Sequence, residues 1–123
     1  MKDIVCDGSV TATGYTSTSD RSIRSDIQNA SLNDCNNVFG NVDIKTYERT
    51  DISGTRIGFI AQDIENSIPA AFANLINMLY GEDTNLLTLD YSRLVCVLWG
   101  DVKGLQSRIE VLESQKKQPR KMI

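Results

Sequence analysis

The stretch YSRLVCVLWGDVKGLQSRIEVLE, residues 91–113, carries the most regular hydrophobic pattern of the chain. Its apolar side chains recur at alternating intervals of four and three residues, the heptad spacing of a helix that packs along a partner helix. We call these residues the seam: Tyr91, Val95, Leu98, Val102, Leu105, Ile109 and Leu112. The pattern predicts a C-terminal coiled-coil helix over residues 91–117.

Two interpretations of the seam are open from the sequence. An apolar stripe is most often the face with which an amphipathic helix packs on its own domain. A partner helix is favoured here because the spacing is strict and continues past Gly104, a residue that costs a helix about 1 kcal/mol relative to alanine. The positions between the seam residues are polar or charged: Lys103, Gln106, Arg108, Glu110 and Glu113.

The seam does not by itself fix the number of chains. Val95, Val102 and Ile109 occupy its first position, and leucine occupies its second. This combination favours two strands in parallel coiled coils. A dimer and a trimer are therefore both compatible with the heptad.

The segments upstream of the seam alternate between strand and helix patterns. Residues 42–60 indicate a β-hairpin, and residues 61–68 a short helix that ends before Pro69, because the residue preceding proline avoids helical geometry. Residues 70–80 have a helical period that ends at Gly81, and residues 85–92 indicate a strand. Turn residues of the hairpin are Asp51, Ser53 and Gly54, and Asp90 or Ser92 caps the last helix.

The N-terminal third has weaker patterns. Residues 3–15 are small, β-branched and interrupted by glycine, which predicts short strands with a turn at Asp7-Gly8, as in the last part of a repetitive β structure. Residues 19–39 indicate a short helix or loop. Its candidate caps are Ser25 and Asp26, and its candidate inward residues are Ile23, Ile27 and Leu32.

Composition excludes several classes of function. The chain has 123 residues, enough for one domain with a modest core. Its formal net charge of −3 argues against nucleic-acid binding, and the lack of histidine excludes a His-dependent catalytic triad within the chain. We expect no metal and no cofactor. We also expect no membrane contact, since no apolar run spans a bilayer and the N-terminus lacks the apolar core of a signal peptide. The three widely spaced cysteines indicate free thiols in a reducing compartment.

Ser19 and Asp20 lie in the stretch TSTSDRSIRSDIQ, residues 16–28. Taken alone, they are an N-cap followed by a polar first turn. Three segments together give them a second interpretation: GYTSTSDRSIRSDI, residues 14–27; RIGFIAQDIENSIP, residues 56–69; and LDYSRLVCVLWGDVKGLQSRIEVLE, residues 89–113.

In this order the segments resemble the intramolecular chaperone domain, peptidase family S74, at the C-terminal end of phage tail spikes, tail fibres and neck appendages, of which endosialidase tail spikes are the best known. Each motif alone is weak, but the combination is specific. The resemblance implies an α+β fold with a β-hairpin, helices and a long C-terminal helix that forms a homotrimeric bundle. Residues 1–18 would be the end of a β-stalk, and residues 19–123 the chaperone domain.

The resemblance also implies self-cleavage. In the family, the domain holds three chains in register while the fibre folds and is then released by a cut at a serine-aspartate bond, here Ser19–Asp20. It also implies a virion fibre or tail precursor assembled in the host cytoplasm. The family pattern places a lysine, the base for the serine, five residues after it, and this chain has Arg24 there.

Arg24 changes the expected chemistry. A desolvated lysine loses its proton and serves as a base, whereas an arginine stays protonated. We therefore predict a domain that folds and trimerises but cuts slowly or not at all. Arg21 is a candidate for stabilising negative charge, with an ordinary surface arginine as the simpler interpretation, and Lys45 is a weak alternative base.

Two other functions share these motifs. One is a non-cleaving module for oligomerisation or host attachment of a fibre. The other is the self-cleaving domain of a membrane-tethered transcription factor, for which a DNA-binding region upstream would be the distinguishing feature.

Overall fold

The computed structural model describes Ile4, Cys6 and residues 8–80 and 85–117. These form three α-helices, two 3-10 helices and two antiparallel hairpins, which confirms the predicted α+β class and the long C-terminal helix. The α-helices are α1 (Leu32–Asn41), α2 (Ala61–Glu65) and α3 (Tyr91–Lys117), and the 3-10 helices are Arg21–Ile23 and Ala70–Leu75. The strands are β1 (Lys45–Glu48), β2 (Thr55–Gly58), β3 (Ile76–Tyr80) and β4 (Asn85–Leu89).

The first hairpin lies within the predicted range. Strands β1 and β2 pair from Lys45 opposite Gly58 to Glu48 opposite Thr55. Gly54, in the connecting turn, has a φ of 105°, a conformation that favours glycine. The short helix α2 also lies where it was predicted, and it ends ahead of Pro69.

The second hairpin corrects a prediction. Residues 70–80 were expected to be one helix, but only Ala70–Leu75 is helical, and Ile76–Tyr80 is strand β3. It pairs with β4 from Ile76 opposite Leu89 to Tyr80 opposite Asn85. The pairing supplies backbone hydrogen bonds that override a weak helical period. The predicted helix end at Gly81 lies outside the described residues.

The region before α1 also differs from expectation. The cap of α1 is Ser31, whose Oγ accepts a hydrogen bond from the Asp34 amide at 3.2 Å. Asp26 instead has a φ of 52°, a left-handed conformation that interrupts a helix. The prediction that Ser25 and Asp26 are the caps is therefore wrong. The predicted inward residues are exposed, so that prediction is wrong as well: Ile23, Ile27 and Leu32.

Residues 8–18 are exposed and form no strand in this single chain. The Tyr15 hydroxyl donates to the Val10 carbonyl at 2.8 Å. The strands expected there are thus not formed among the described residues, and the Asp7 half of the predicted turn lies outside them. The assignment of residues 1–18 to a stalk stays a prediction.

The core lies between α1, α2 and the first part of α3. Its buried apolar side chains are Cys35, Val38, Val42, Ile64, Leu75 and Val97. Helix α1 crosses α3 at two glycines, Gly100 and Gly104. A Cβ atom at Gly104 would lie 2.9 Å from the side-chain Nδ2 of Asn36. Gly104, which lowers the helix propensity of α3, therefore allows α1 to approach α3 closely. Of the helices that the structure describes, none combines the length and hydrophobicity needed to cross a bilayer.

Candidate functional site: the Ser19 turn and the exposed seam

A tight turn brings Arg24 back to Ser19. Residues Arg21–Ile23 form a single 3-10 turn, and the Arg24 amide closes it by donating to the Arg21 carbonyl at 3.0 Å. The guanidinium Nη2 of Arg24 then donates to Ser19 Oγ at 3.3 Å and, over 3.5 Å, to the Thr18 carbonyl. The five-residue spacing thus becomes a direct side-chain contact.

Asp20 is fixed by the same turn. It is the N-cap, and its Oδ1 accepts a hydrogen bond from the Ser22 amide at 2.8 Å. This backbone hydrogen bond, followed by the one from the Ser22 side chain, lowers the pKa of the Asp20 carboxyl below its ordinary range. The carboxylate is therefore ionised at neutral pH and engaged in capping.

The contact between Arg24 and Ser19 has a definite chemical meaning. An arginine N–H donates to the serine oxygen, so the guanidinium orients the hydroxyl without accepting its proton. Arg21 contributes its backbone carbonyl to the turn. Lys45, the alternative base, lies on strand β1, where it lines a groove beside α1 and α3. The predicted residues Ser19, Asp20 and Arg24 are thus together, but no described contact gives the serine a base.

The seam of α3 is exposed along its length. Fractional exposures run from 45% for Leu105 to 64% for Leu112, and the members are Tyr91, Val95, Leu98, Val102, Leu105, Ile109 and Leu112. Helix α1 packs against a different face of α3, which contains Val97, Gly100, Asp101 and Gly104. At 100° per residue the two faces lie roughly 120° apart around the helix. Packing of α1 on α3 therefore leaves the seam exposed.

The second half of α3 stands free. Residues 105–116 are exposed on every side, whereas the contact with α1 extends to Gly104. An isolated helix shorter than ~12–15 residues is marginal in water. This half of α3 is therefore held only as a continuation of the packed half, and a partner helix would stabilise it.

Two motifs of the sequence meet at the start of α3. The Tyr91 hydroxyl accepts a hydrogen bond from the Phe59 amide at 3.5 Å, and the two ring centroids are 6.2 Å apart. A Cβ atom at Gly58 would lie 2.9 Å from the Tyr47 hydroxyl and 3.0 Å from that of Tyr91. The glycine of RIGFIA thus makes room for both tyrosines. No sequence pattern singled out Tyr47, which reaches this contact from strand β1.

Asp90 begins α3 as the predicted cap. Its Oδ1 accepts hydrogen bonds from the Ser92 hydroxyl and, at 3.2 Å, from the Arg93 amide, and its Oδ2 pairs with Arg93 Nε at 3.2 Å. The hydrogen bond from Ser92 is the main cause that lowers the pKa of this carboxyl. The Asp90 amide donates to the Leu75 carbonyl at 2.9 Å, so the cap also ties α3 to the core.

Comparison with known families agrees with the motifs. Residues 19–73 match the family model Peptidase_S74, described as chaperone of endosialidase. The match confirms the predicted resemblance for these residues, which make up a little under half of the chain. It begins at Ser19 and includes Arg24, while α3 lies beyond the matched residues. No curated protein matches the chain.

Proposed function

We propose that this chain is the C-terminal intramolecular chaperone of a viral fibre or tail spike, in which three copies associate through the α3 seam. The observation that carries the proposal is the exposed seam, which lies off the face of α3 that packs on α1, in a chain that matches the chaperone-of-endosialidase family over residues 19–73. The residue types of the seam favour a coiled coil of two helices. The seam is short, however, and the family resemblance favours an assembly of three chains. The partners are two further copies and the β-stalk that precedes Ser19.

The physical reason for such a domain lies in how stalks fold. Short, polar, glycine-rich strands specify their register weakly, and contacts between chains form slowly because they are non-local. A helical block folds from local contacts, and its seam aligns three chains at one register. Association of the stalk then becomes nearly intramolecular, which raises the effective concentration of its strands.

Release of the domain would make the assembled stalk persistent. Hydrolysis of the Ser19–Asp20 bond adds water across it and leaves a carboxylate on Ser19 and an amine on Asp20. The stalk then has lost the element that nucleates it, so it is held by a kinetic barrier. We propose the virion as the site of the stalk and the host cytoplasm as the site of assembly.

In this chain the cut is slow or absent, because the Arg24 side chain donates a hydrogen bond to Ser19 and, as an arginine, supplies no base for the serine proton. The test is an Arg24→Lys variant that is refolded, incubated and analysed by intact mass. We expect loss of residues 1–19 and a new N-terminus at Asp20. Arg24→Gln, which removes the charge without adding a base, and Ser19→Ala combined with Arg24→Lys are the matched controls and stay intact.

An intact Arg24→Lys chain in a demonstrated trimer would remove the peptidase half of the proposal and leave the chaperone half. A second function would then apply, a non-cleaving oligomerisation or attachment module. The hydrogen bond from Arg24 to Ser19 favours it, because it holds the serine in a turn that lacks a base. The mass of the mature fibre chain, compared with its gene length, distinguishes the two.

A further inference from the structure

An open apolar groove lies between α1 and the first turns of α3. Its volume is about 760 Å³, and its walls include Val38, Phe39, Val42, Phe59 and Leu94. Two seam residues, Val95 and Leu98, line it as well, so the groove is continuous with the seam. Phe39 is 53% exposed in the single chain. A groove of this composition gains free energy when an apolar group fills it.

Trp99 lies on the opposite flank of α3. It is the sole tryptophan of the chain, it is 67% exposed, and it immediately follows the seam residue Leu98. Leu94 immediately precedes the seam residue Val95 and so lies on the groove side. A tryptophan buries about 150–250 Å² when it packs, which makes its exposure costly in water.

The two flanks are complementary at heptad spacing. In parallel helices in register, the residue that precedes the first seam position of one helix faces a residue of the partner helix that is five positions further along the sequence. That partner residue immediately follows the second seam position. Two such pairs are Leu94 with Trp99 and Arg108 with Glu113, whereas Asp101, at the equivalent position between them, is buried within the single chain. The first pair is apolar, and the second joins opposite charges. An antiparallel arrangement would not join these residues.

We propose that Trp99 of one copy inserts into the groove beside Leu94 of a second copy, and that this contact anchors the N-terminal end of the seam. A cavity of about 150 Å³ is enough for benzene, so the groove has room for an indole and neighbouring seam side chains. In a cyclic assembly each copy donates one Trp99 and receives another, so the contacts close into a ring. The inference rests on the association proposed above and adds which surfaces meet.

The sole tryptophan provides a direct test in the full chain. Emission and acrylamide quenching of Trp99 are measured at concentrations where sedimentation reports an assembled state. Leu105→Asp, which disrupts the seam without touching the groove, serves as the dissociated reference. We expect a blue-shifted emission and a quenching constant several-fold lower in the assembly than in the reference.

The possible results separate the two claims. A fully accessible Trp99 in a demonstrated assembly would overturn the insertion and leave the proposed function standing. A single-chain mass for the unmodified chain would overturn both.

Substitutions in the groove give an independent readout. Phe39→Ala removes a groove wall without changing Trp99, so we expect a red-shifted emission and association weakened about tenfold. Ile57→Ala is the matched control, because Ile57 is 74% exposed on the first hairpin and is not part of the groove. Circular dichroism checks that both variants fold. Unchanged Trp99 emission in Phe39→Ala would contradict the inference.

Discussion

Gly100 of α3 lies directly against Cys35 of α1. A Cβ atom at position 100 would come 2.5 Å from Cys35 Sγ, closer than real Cβ atoms approach, and 3.1 Å from Cys35 Cβ. Together with the contact between Gly104 and Asn36, this makes the crossing of the two helices depend on two glycines spaced four residues apart. The crossing buries one face of α3 in the core and leaves the seam exposed.

Gly100→Ala therefore destabilises the domain. Overpacking of a core costs about 1–3 kcal/mol, which outweighs the ~1 kcal/mol that alanine gains in helix propensity. Denaturant unfolding measures the difference. Gly40→Ala in α1 is the control, because a Cβ atom at Gly40 meets nothing within 4 Å, and it leaves stability unchanged or raised. Equal effects of both substitutions would show that the crossing tolerates a larger residue.

Burial also determines thiol reactivity. Cys35 is buried, whereas Cys6 and Cys96 are exposed. Burial, followed by the charges of Asp34 and Asp101, raises the pKa of the Cys35 thiol. At pH 7.5 in the native chain, we expect Cys6 and Cys96 to be alkylated quickly and Cys35 slowly. In denaturant, all three thiols should be alkylated quickly. Mass spectrometry after timed alkylation assigns them, and fast native labelling of Cys35 would contradict the packing.

Asp90 contributes stability that depends on pH. Since its pKa is lowered in the folded chain, its contribution is complete above about pH 4 and is lost as pH falls through the lowered pKa. Asp90→Ala removes the cap and should lower the free energy of unfolding by about 0.5–2 kcal/mol at neutral pH. Unfolding curves at several pH values should show the difference vanish in acid. Glu110→Gln, an exposed change within α3, is the control.

The seam was predictable from sequence because a heptad is a local pattern that repeats along the same helix. The five-residue spacing of Ser19 and Arg24 came from the resemblance, whereas the 3-10 turn and the hydrogen bond that join them were not predicted. The crossing at Gly100 and Cys35 was out of reach, since it joins residues far apart in sequence. Ile76 was misassigned because its spacing fits a helix as well as a strand, and the pairing with Leu89 decides between them.

Parallel register can be tested through charge. Arg108→Glu or Glu113→Arg places like charges opposite each other between copies, and each should weaken association several-fold at low salt. The double variant restores the opposite charges and should recover most of the affinity. Sedimentation velocity measures all four chains. A double variant weaker than either single change would exclude this pairing.

The central claim is that separate copies join through the seam of α3, and the mass of the chain in solution tests it most directly. Sedimentation equilibrium should give three times 13.7 kDa for the unmodified chain and for Val111→Asp, whose site is 56% exposed but lies off the seam. Leu105→Asp should give the single-chain mass with its fold retained. A folded single chain of 13.7 kDa at the highest soluble concentration of the unmodified protein would contradict the account.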